Sequence, residues 1–481
     1  MATSTGFPFH RALKVLRIAL DWGQAQLAQA AGLSRSAMSE IESGDIHITW
    51  ERLETFAALM NAPPGAVAAA LAFVATLVPW VDAEAGPAEP TLAERRSIEE
   101  AVAAGALELR SSLLGQMRQR HAEEERAKAT SLWRRLAGKT AKQRRFVVEQ
   151  APEVWSWALV ERLSHESGIE ASDSARQAVQ LAELALWVAE RVSGSEGWRG
   201  RVQGYAWGYL SSACRVANDF ERSRTALGRA NDLFPRGAEE DPGLLDPVRL
   251  LDLEASFWRD QRQFAKAMDL HDKALAEGSE GLRGRLLLKR AFTLEVMGKS
   301  ESALLDLVEA LPLVERAEDQ RQRLVVRFNL VVSLLSLGRA DEAQSHLPKV
   351  RALALQLGGE LDSLRLRWLE GRVAEAFGRR EEAIVAYESL VGEFCRLNQG
   401  ADAALAGLEA AALHLEVGRH GRVKQLSAEL RPQFGAHGLE QEELASVRLF
   451  LEAAERETAT VALAREAARA WVRACAVHPE R

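Results

Sequence analysis

The chain has 481 residues, roughly three times the ~150 residues expected of one domain, so we expect at least two folded units. Hydrophobic residues make up 47% and charged residues 27%, with only 14 prolines, which excludes a largely disordered chain. The formal net charge is −7, so any binding to nucleic acid has to come from a local surface.

The composition favours helices and a reducing compartment. Ala, Leu, Glu and Arg dominate, whereas Tyr occurs only 3 times, and this balance predicts an all-α protein. The three cysteines, Cys214, Cys395 and Cys475, are too few and too far apart for a disulfide framework. The N-terminus has no signal-peptide order, and the apolar stretch 66–80 is too short to span a bilayer. We therefore expect a cytoplasmic protein with no membrane contact.

The first 60 residues show four short helical patterns separated by turn signals. We predict helices over 9–20, 24–31, 34–43 and 49–60, and a fifth over the alanine-rich run 67–78. The stretch 79–90 contains three prolines and reads as a linker. The predicted organisation is a helical domain at 1–78, a linker at 79–92, a helical connector at 93–150 and a larger domain at 151–481.

The connector should begin with one long charged helix from Ala93 to about Ala129. Its segment 126–145 holds eight basic residues and no acidic one. Such a segment is most often a solvated helix face, and the alternative is nonspecific contact with DNA phosphates.

The larger domain contains an internal repeat marked by glycines 40 residues apart, at Gly298, Gly338, Gly378 and Gly418. Small or apolar residues recur seven residues before each turn and five and twelve after it, and the same frame extends back to turns at Arg262 and Asn218. A further turn is expected near Asp173. This pattern resembles the tetratricopeptide (TPR) repeat, in which stacked helix pairs bury a shared face. The resemblance implies an α-solenoid of about six or seven repeats.

The segment 23–44, GQAQLAQAAGLSRSAMSEIESG, carries the most specific motif. Leu27 and Ala28 suit a packed first helix, Gly32 a tight turn, and Ser34 the cap of a second helix. The segment resembles the helix-turn-helix of λ-repressor-type (XRE) DNA-binding domains, whose second helix enters the major groove.

This resemblance implies a set of DNA-contacting residues. Arg35, Ser36, Ser39 and Glu40 should face outward on the recognition helix, and Arg35 is the candidate for bidentate bonding to guanine. Gln24 matches a phosphate-contacting position of the family. Arg17 and Glu42 match a structural ion pair.

The charge of this domain leaves a second interpretation open. Residues 1–78 contain five Lys and Arg against six Asp and Glu, a net charge of −1, and Gly23 replaces the usual Ser or Thr cap. A near-neutral domain can bind DNA as a dimer, but with weak and salt-sensitive affinity. The alternative is a helix-turn-helix fold that binds another protein.

The first helix of each TPR pair should line an inner groove. Counting back 13, 10, 9, 6 and 3 residues from the turns selects candidates for a ligand site, which are Arg249, Arg259, Arg285, Lys289, Asn329, Arg365, Trp368 and Arg372. Cations with an amide and interleaved aromatics suit an acidic or carboxylate-ended peptide. The same positions also hold Asp252, Glu295 and Glu375, so internal ion pairs on a solvated face are an equal alternative.

No catalytic or metal-binding motif is found. Gly138-Lys139-Thr140 lacks the first Gly and the preceding strand of a phosphate-binding loop, and His165-Glu166 lacks the second His of a zinc helix. We therefore expect neither an enzyme nor a cofactor.

The combination of a helix-turn-helix domain with a TPR solenoid resembles the architecture of peptide-responsive bacterial regulators, the RRNPP group. This resemblance implies a homodimeric transcriptional regulator that binds double-stranded DNA and is gated by a peptide or protein in the TPR groove. The alternative is a TPR interaction scaffold whose N-terminal unit is a protein-docking module.

Overall fold

A computed structural model describes residues 9–81, 92–171, 174–317, 319–397, 399–436 and 444–475. Within these ranges the regular secondary structure is helical, with 23 α-helices and no strand, which confirms the all-α prediction. The chain divides into two compact units, Met1–Arg135 and Leu136–Arg481. In the described part, no helix combines the length and apolarity that a membrane crossing requires.

The first unit is a small helical bundle followed by a long helix. Its helices are α1 (Phe9–Ala19), α2 (Gln24–Ala30), α3 (Arg35–Ser43), α4 (Trp50–Leu59), α5 (Ala66–Val81) and α6 (Leu92–Leu136). Leu13, Leu16, Leu27, Met38 and Leu53 are fully buried in its core. The first four helices end within a residue of the predicted bounds, because Ser34 and Thr49 cap α3 and α4 as their residue types suggest.

The predicted linker at 79–92 lies mainly outside the described residues, and helix α5 occupies its first three positions. Helix α6 is longer than the predicted 93–129 and packs against the helical bundle within the first unit. Leu109 and Leu113 are buried against the core of the bundle, and Arg120 donates to the carbonyl oxygen of Asn61 at 3.2 Å. The boundary between the compact units therefore falls at the end of α6 and not in the proline-containing stretch.

The second unit begins with α7 (Ala141–Glu149) and continues as antiparallel helix pairs. Seven pairs follow in the described residues, α8 (Trp157–Glu170) with α9 (Ala175–Ala189), α10 (Glu196–Val216) with α11 (Phe220–Leu233), α12 (Pro247–Asp260) with α13 (Phe264–Glu277), α14 (Glu280–Val296) with α15 (Ser300–Arg316), α16 (Gln320–Ser336) with α17 (Ala340–Leu357), α18 (Glu360–Ala376) with α19 (Arg380–Arg396), and α20 (Gly400–Glu416) with α21 (His420–Ala436). This is the TPR-like solenoid that the 40-residue spacing predicts.

The turns inside these pairs share one backbone conformation. Gly298, Gly338 and Gly378 all have φ between +71° and +74°, the left-handed region that favours glycine. Asn218 and Arg262 hold the same position in earlier pairs with φ of +61° and +59°. The turn geometry is thus constant even where the sequence lacks glycine.

Small residues lie where paired helices approach. A Cβ atom added at Gly407 would come 2.1 Å from Leu430 Cδ1, and one added at Gly371 would come 3.0 Å from Tyr387 Cε1. These positions need small residues because the facing helix leaves no room for a side chain.

Two further helices close the C-terminal end, α22 (Ala445–Glu455) and α23 (Val461–Cys475). Trp471 of α23 is fully buried, stands edge-on to Phe434 at 4.9 Å, and donates its Nε1–H to the carbonyl oxygen of Ala401 at 2.9 Å. Helix α23 therefore packs against α20, the first helix of the last repeat.

Candidate DNA-binding surface and ligand groove

Helices α2 and α3 form a helix-turn-helix with one buried and one open face. Gly32 in the turn has φ of +66°, and Ser34 Oγ accepts from the Ala37 N–H at 3.1 Å to cap α3. Met38 and Ile41 point into the core, as predicted. The start of α3 is thus fixed by a cap and an apolar anchor, which leaves its outer face available.

The outer face of α3 carries the four residues that the sequence selects. Arg35, Ser36, Ser39 and Glu40 are all exposed, and Ser36 Oγ donates to Glu40 Oε1 at 3.2 Å. Arg35 lies in the first turn, where a guanidinium has the reach to bond a base edge. The surface offers one cation, two hydroxyls and one carboxylate.

Gln24 begins α2 but its amide is engaged within the unit. Its Nε2 donates to Glu42 Oε2 at 3.1 Å. The same carboxylate accepts from Arg17, with Nε to Oε1 at 2.5 Å and Nη2 to Oε2 at 3.0 Å. A DNA phosphate would reach the α2 N-terminus through the backbone N–H groups there or by displacing this amide.

The basic segment 126–145 divides between structural and exposed side chains. Arg144 is buried and donates to the carbonyl oxygens of Leu136 and Ala137, and Arg145 lies over the Trp187 ring at 4.0 Å. Five other cations of the segment are exposed, which are Lys128, Arg134, Arg135, Lys139 and Lys142.

The predicted groove residues of α12 and α14 surround one buried carboxylate. Asp252 is 1% exposed and lies 3.3 Å from Arg285 Nη2 and 3.8 Å from Arg249 Nη1. Arg249 also donates to the Tyr209 hydroxyl, and its pKa is raised further above the usual value by Tyr209 and Asp252 despite burial. These cations are neutralised by a carboxylate of the protein itself, which agrees with the alternative of internal ion pairs.

Other predicted cations also have acidic neighbours. Arg259 donates to Asp260 Oδ1 at 2.9 Å and stacks on the Phe292 ring at 4.4 Å. Arg365 lies 3.7 Å from Asp402. Lys289 is half-buried on α14.

Asn329 and Trp368 are held by polar contacts in the same groove. Asn329 is 2% exposed and donates its Nδ2 to the carbonyl oxygen of Val325 at 2.9 Å, while its Oδ1 has no hydrogen-bond partner among the described residues. Trp368 stacks on Phe328 at 6.0 Å and donates its Nε1–H to Glu409 Oε2 at 2.6 Å.

A cavity of about 490 Å³ opens at the C-terminal part of this groove. Its walls come from α14, α16, α18 and α20 on one side and from α23 on the other. Trp368 and Arg372 line it, as do Glu295 and Glu409, so it gathers predicted groove residues with two carboxylates.

Sequence reasoning did not select Glu409 or the α23 residue Arg465. Glu409 lies nine residues before the turn at Gly418, so the same counting rule extended by one repeat finds it. Arg465 follows no repeat spacing, because α23 stands outside the 40-residue frame. Its Nη2 lies 2.6 Å from Glu375 Oε1 and 3.2 Å from Glu416 Oε1.

The carboxyl group of Glu409 has an unusually high pKa. Burial raises its pKa to about 7, since desolvation outweighs the opposing attraction of Arg372, whose Nε is 3.8 Å away. In the described residues, no group of three His, Cys, Asp or Glu side chains has a geometry that could hold a metal ion.

Comparisons with known proteins agree with this architecture. Residues 9–71 match the sequence family described as "Helix-turn-helix domain". The chain is a helix-turn-helix domain fused to a TPR-like solenoid. No curated protein sequence matches it significantly.

Three solved structures with similar folds are at most 14% identical to the chain. A Rap protein complexed with Competence and Sporulation Factor has 14% identity and a TM-score of 0.50, over 61% of this chain and 81% of that one. Aspartyl phosphate phosphatase F from Bacillus subtilis has 14% identity and a TM-score of 0.39, over 61% of this chain and 78% of that one. A signal transduction ATPase (STAND) protein with a tetratricopeptide repeat sensor from Pyrococcus horikoshii has 12% identity and a TM-score of 0.42, over 68% of this chain and 53% of that one. At 14% identity the likeness to the Rap protein concerns the fold alone.

Proposed function

We propose that this protein is a bacterial transcriptional regulator of the XRE type that binds operator DNA through α3 and senses a peptide or protein in its solenoid. The observation that carries the DNA-binding part is the outer face of α3. Arg35, Ser36 and Ser39 are exposed there while the opposite face is anchored in the core. A helix presented in this way fits the major groove and reads base edges with its first turns.

The regulator acts as a homodimer. One helix-turn-helix unit with a single cation on its recognition helix has too little positive charge to select one site among a genome's competitors. Two units on two half-sites multiply the discrimination. The exposed cations Arg134, Arg135, Lys139 and Lys142 would add sequence-independent phosphate contacts.

The solenoid supplies the sensing part of the proposal. Its fold is similar to that of a Rap protein solved with Competence and Sporulation Factor, and its own groove opens into a cavity of about 490 Å³. This volume lies in the range of ligand pockets. Ligand that binds one arrangement of the solenoid more tightly shifts the population of that arrangement and with it the operator affinity. The protein needs neither catalysis nor a cofactor for this role, which it performs in the cytoplasm.

A TPR interaction scaffold is the second candidate, and the charge of the helix-turn-helix domain favours it. Glu40 lies on the outer face of α3, and the net charge of residues 1–78 is −1. In this account the helix-turn-helix unit docks another protein.

Binding of genomic fragments across a salt series separates the two accounts. A regulator selects a few fragments, protects an operator-sized footprint, and loses affinity linearly with the logarithm of salt concentration. A scaffold shows neither sequence preference nor a footprint at any salt concentration.

A further inference from the structure

Two carboxylates line one cavity, and in the described residues neither accepts a hydrogen bond from a cationic side chain. The cavity is the 490 Å³ space between α23 and the first helices of the later repeats. Glu409 and Glu295 both line it, from α20 and α14. Their surroundings decide which chemical group the cavity accepts.

Glu409 is 9% exposed and only partly satisfied. One oxygen accepts from the Trp368 Nε1–H, and the nearest cation, Arg372 Nε, lies 3.8 Å from the other oxygen, beyond hydrogen-bonding distance. A buried carboxylate is stabilised in its charged form only by a close cation or several donors. Glu409 therefore has room for a further donor.

Glu295 is held by hydroxyl groups. Its Oε2 accepts from Ser300 Oγ at 3.0 Å, and its Oε1 accepts from Ser333 Oγ. These neutral donors orient the carboxylate but do not offset its charge. The carboxylate thus adds a negative potential to the cavity wall.

The arginines at the cavity are already engaged. Arg465 lies between Glu375 and Glu416, and Arg469 donates to Glu466 at 2.8 Å. Arg372 lies over the Trp368 ring at 5.1 Å. An anionic ligand at Arg465 or Arg469 would have to break one of these hydrogen-bonded pairs, whereas an ammonium at Glu409 would compete only with Arg372, whose Nε is 3.8 Å from the carboxylate.

The remaining wall is apolar. Val332, Leu405 and Val472 line the cavity beside the indole of Trp368. We propose that the cavity binds a protonated amine with an apolar body, the ammonium donating to Glu409 in the field of Glu295. Two sources offer this chemistry, the N-terminus of a peptide with an apolar first residue and an apolar free amine. The inference rests on the proposed sensing role of the solenoid, but the binding itself requires no DNA.

Calorimetry on the full chain with matched probes tests the charge requirement. Tryptamine and N-methyltryptamine carry an ammonium, N-acetyltryptamine is neutral, and indole-3-propionate is an anion with a similar apolar body. We expect both cations to bind at least tenfold more tightly than the neutral and anionic probes. Equal or tighter binding of N-acetyltryptamine or indole-3-propionate, or no binding of tryptamine at millimolar concentration, would overturn the proposal.

A second pair of probes distinguishes the sources. Leu-Leu-amide presents a peptide N-terminus, and N-acetyl-Leu-Leu-amide removes its charge. Tighter binding of Leu-Leu-amide than of tryptamine assigns the site to a peptide N-terminus, and the reverse order assigns it to a free amine. Loss of discrimination between the two peptides counts against an ammonium site.

Substitutions locate the site. Glu409→Gln keeps an acceptor for Trp368 and should weaken tryptamine at least tenfold, and Glu295→Gln should weaken it less. Glu455→Gln, on α22 and paired with Arg431, changes a residue that does not line the cavity, so it is the control and should leave affinity unchanged. Unchanged affinity in Glu409→Gln would place the amine elsewhere.

Proton release gives a readout independent of affinity. The charged and titratable groups around Glu409 are Arg372 and Glu375 of α18, Tyr387 of α19 and Arg465 of α23. An ammonium lowers the Glu409 pKa from about 7, so binding at pH 7 should release a fraction of a proton and strengthen from pH 6 to 8. Heats that do not vary with buffer ionisation enthalpy would contradict this. A negative result for amine binding would leave the proposed operator binding standing, because amine binding and operator binding are measured in separate experiments.

Discussion

Arg17 of α1 and Glu42 of α3 form a two-point ion pair, with Nε 2.5 Å from Oε1 and Nη2 3.0 Å from Oε2. Glu42 is 7% exposed, and Arg17 also donates Nη1 to the carbonyl oxygen of Trp22 at 2.8 Å. Helix α3 is therefore fixed to α1 by charge as well as by apolar packing. The ion pair that the sequence resemblance implies is present in the structure.

Removing one partner should loosen the recognition helix. Arg17→Met leaves Glu42 buried with only Gln24 as a hydrogen-bond donor, which should cost about 2 to 4 kcal/mol of local stability. Hydrogen exchange of peptides covering α1 and α3 measures this cost. Arg52→Met, at an exposed site on α4, is the control and should leave exchange unchanged. Equal exchange in the two variants would show that the ion pair does not hold α3.

Base reading by Arg35 predicts a specific pattern of affinities. Arg35→Ala should weaken operator binding by about 1 to 3 kcal/mol and relax preference at one position. Arg35→Lys keeps the charge but loses the bidentate fork, so it should restore binding to random DNA but not the preference. An equal loss on operator and random duplexes would make Arg35 a phosphate contact.

The repeat turns predict opposite effects of two substitutions. Gly378→Ala forces a Cβ into φ of +73° and should cost about 1 kcal/mol of unfolding free energy, although nothing lies within 4 Å of that Cβ. Arg262→Gly removes the same strain at φ of +59° and should gain a similar amount. Urea unfolding with circular dichroism measures both.

Gly392→Ala is the control for that pair. It lies inside α19 with open space around its Cβ and ordinary helical backbone, so alanine should stabilise by about 0.5 to 1 kcal/mol. If Gly378→Ala and Gly392→Ala had the same effect, the left-handed turn would not be a constraint.

The buried carboxyl of Glu409 predicts a pH-dependent stability. Its folded pKa of about 7 lies above the usual 4.5, so the folded state holds more protons than the unfolded state between these values. Unfolding free energy should therefore fall as pH rises from about 5 to 8, by up to about 3 kcal/mol. Glu409→Gln should remove this part of the pH profile, and identical profiles would contradict the assignment.

A homodimer is the expected assembly. Light scattering at micromolar concentration should give twice the 52.9 kDa chain mass, with and without operator DNA. A strictly monomeric mass under both conditions would remove the two-half-site account.

The sequence predicted those parts of the structure that short-range patterns encode. The cap Ser34, the turn Gly32 and the glycines at Gly338 and Gly378 each follow from local backbone requirements, so helix ends and repeat turns were correctly placed. The small residue at Gly371 followed from repeat spacing, because a close helix pair excludes a side chain there.

Contacts between residues that are far apart in the sequence cannot be predicted from those short-range patterns. The packing of Leu109 and Leu113 onto the first bundle is not visible in their own helical periodicity, so the sequence favours a boundary at the prolines, whereas the compact units divide at the end of α6. Likewise, the contact of Arg465 with Glu375 joins residues 90 positions apart and outside the repeat frame. Repeat spacing predicts the groove positions, but the acidic partners of their cations could be seen only in three dimensions.

Selection from a pool of random duplexes tests most directly whether residues 9–71 read a DNA sequence. The full chain should enrich one motif with two half-sites whose centres lie about one helical turn, or a multiple of it, apart. Arg35→Ala should lose the enrichment at one position in each half-site. An unenriched pool at low salt concentration, with the protein folded, would contradict the claim and favour the docking module.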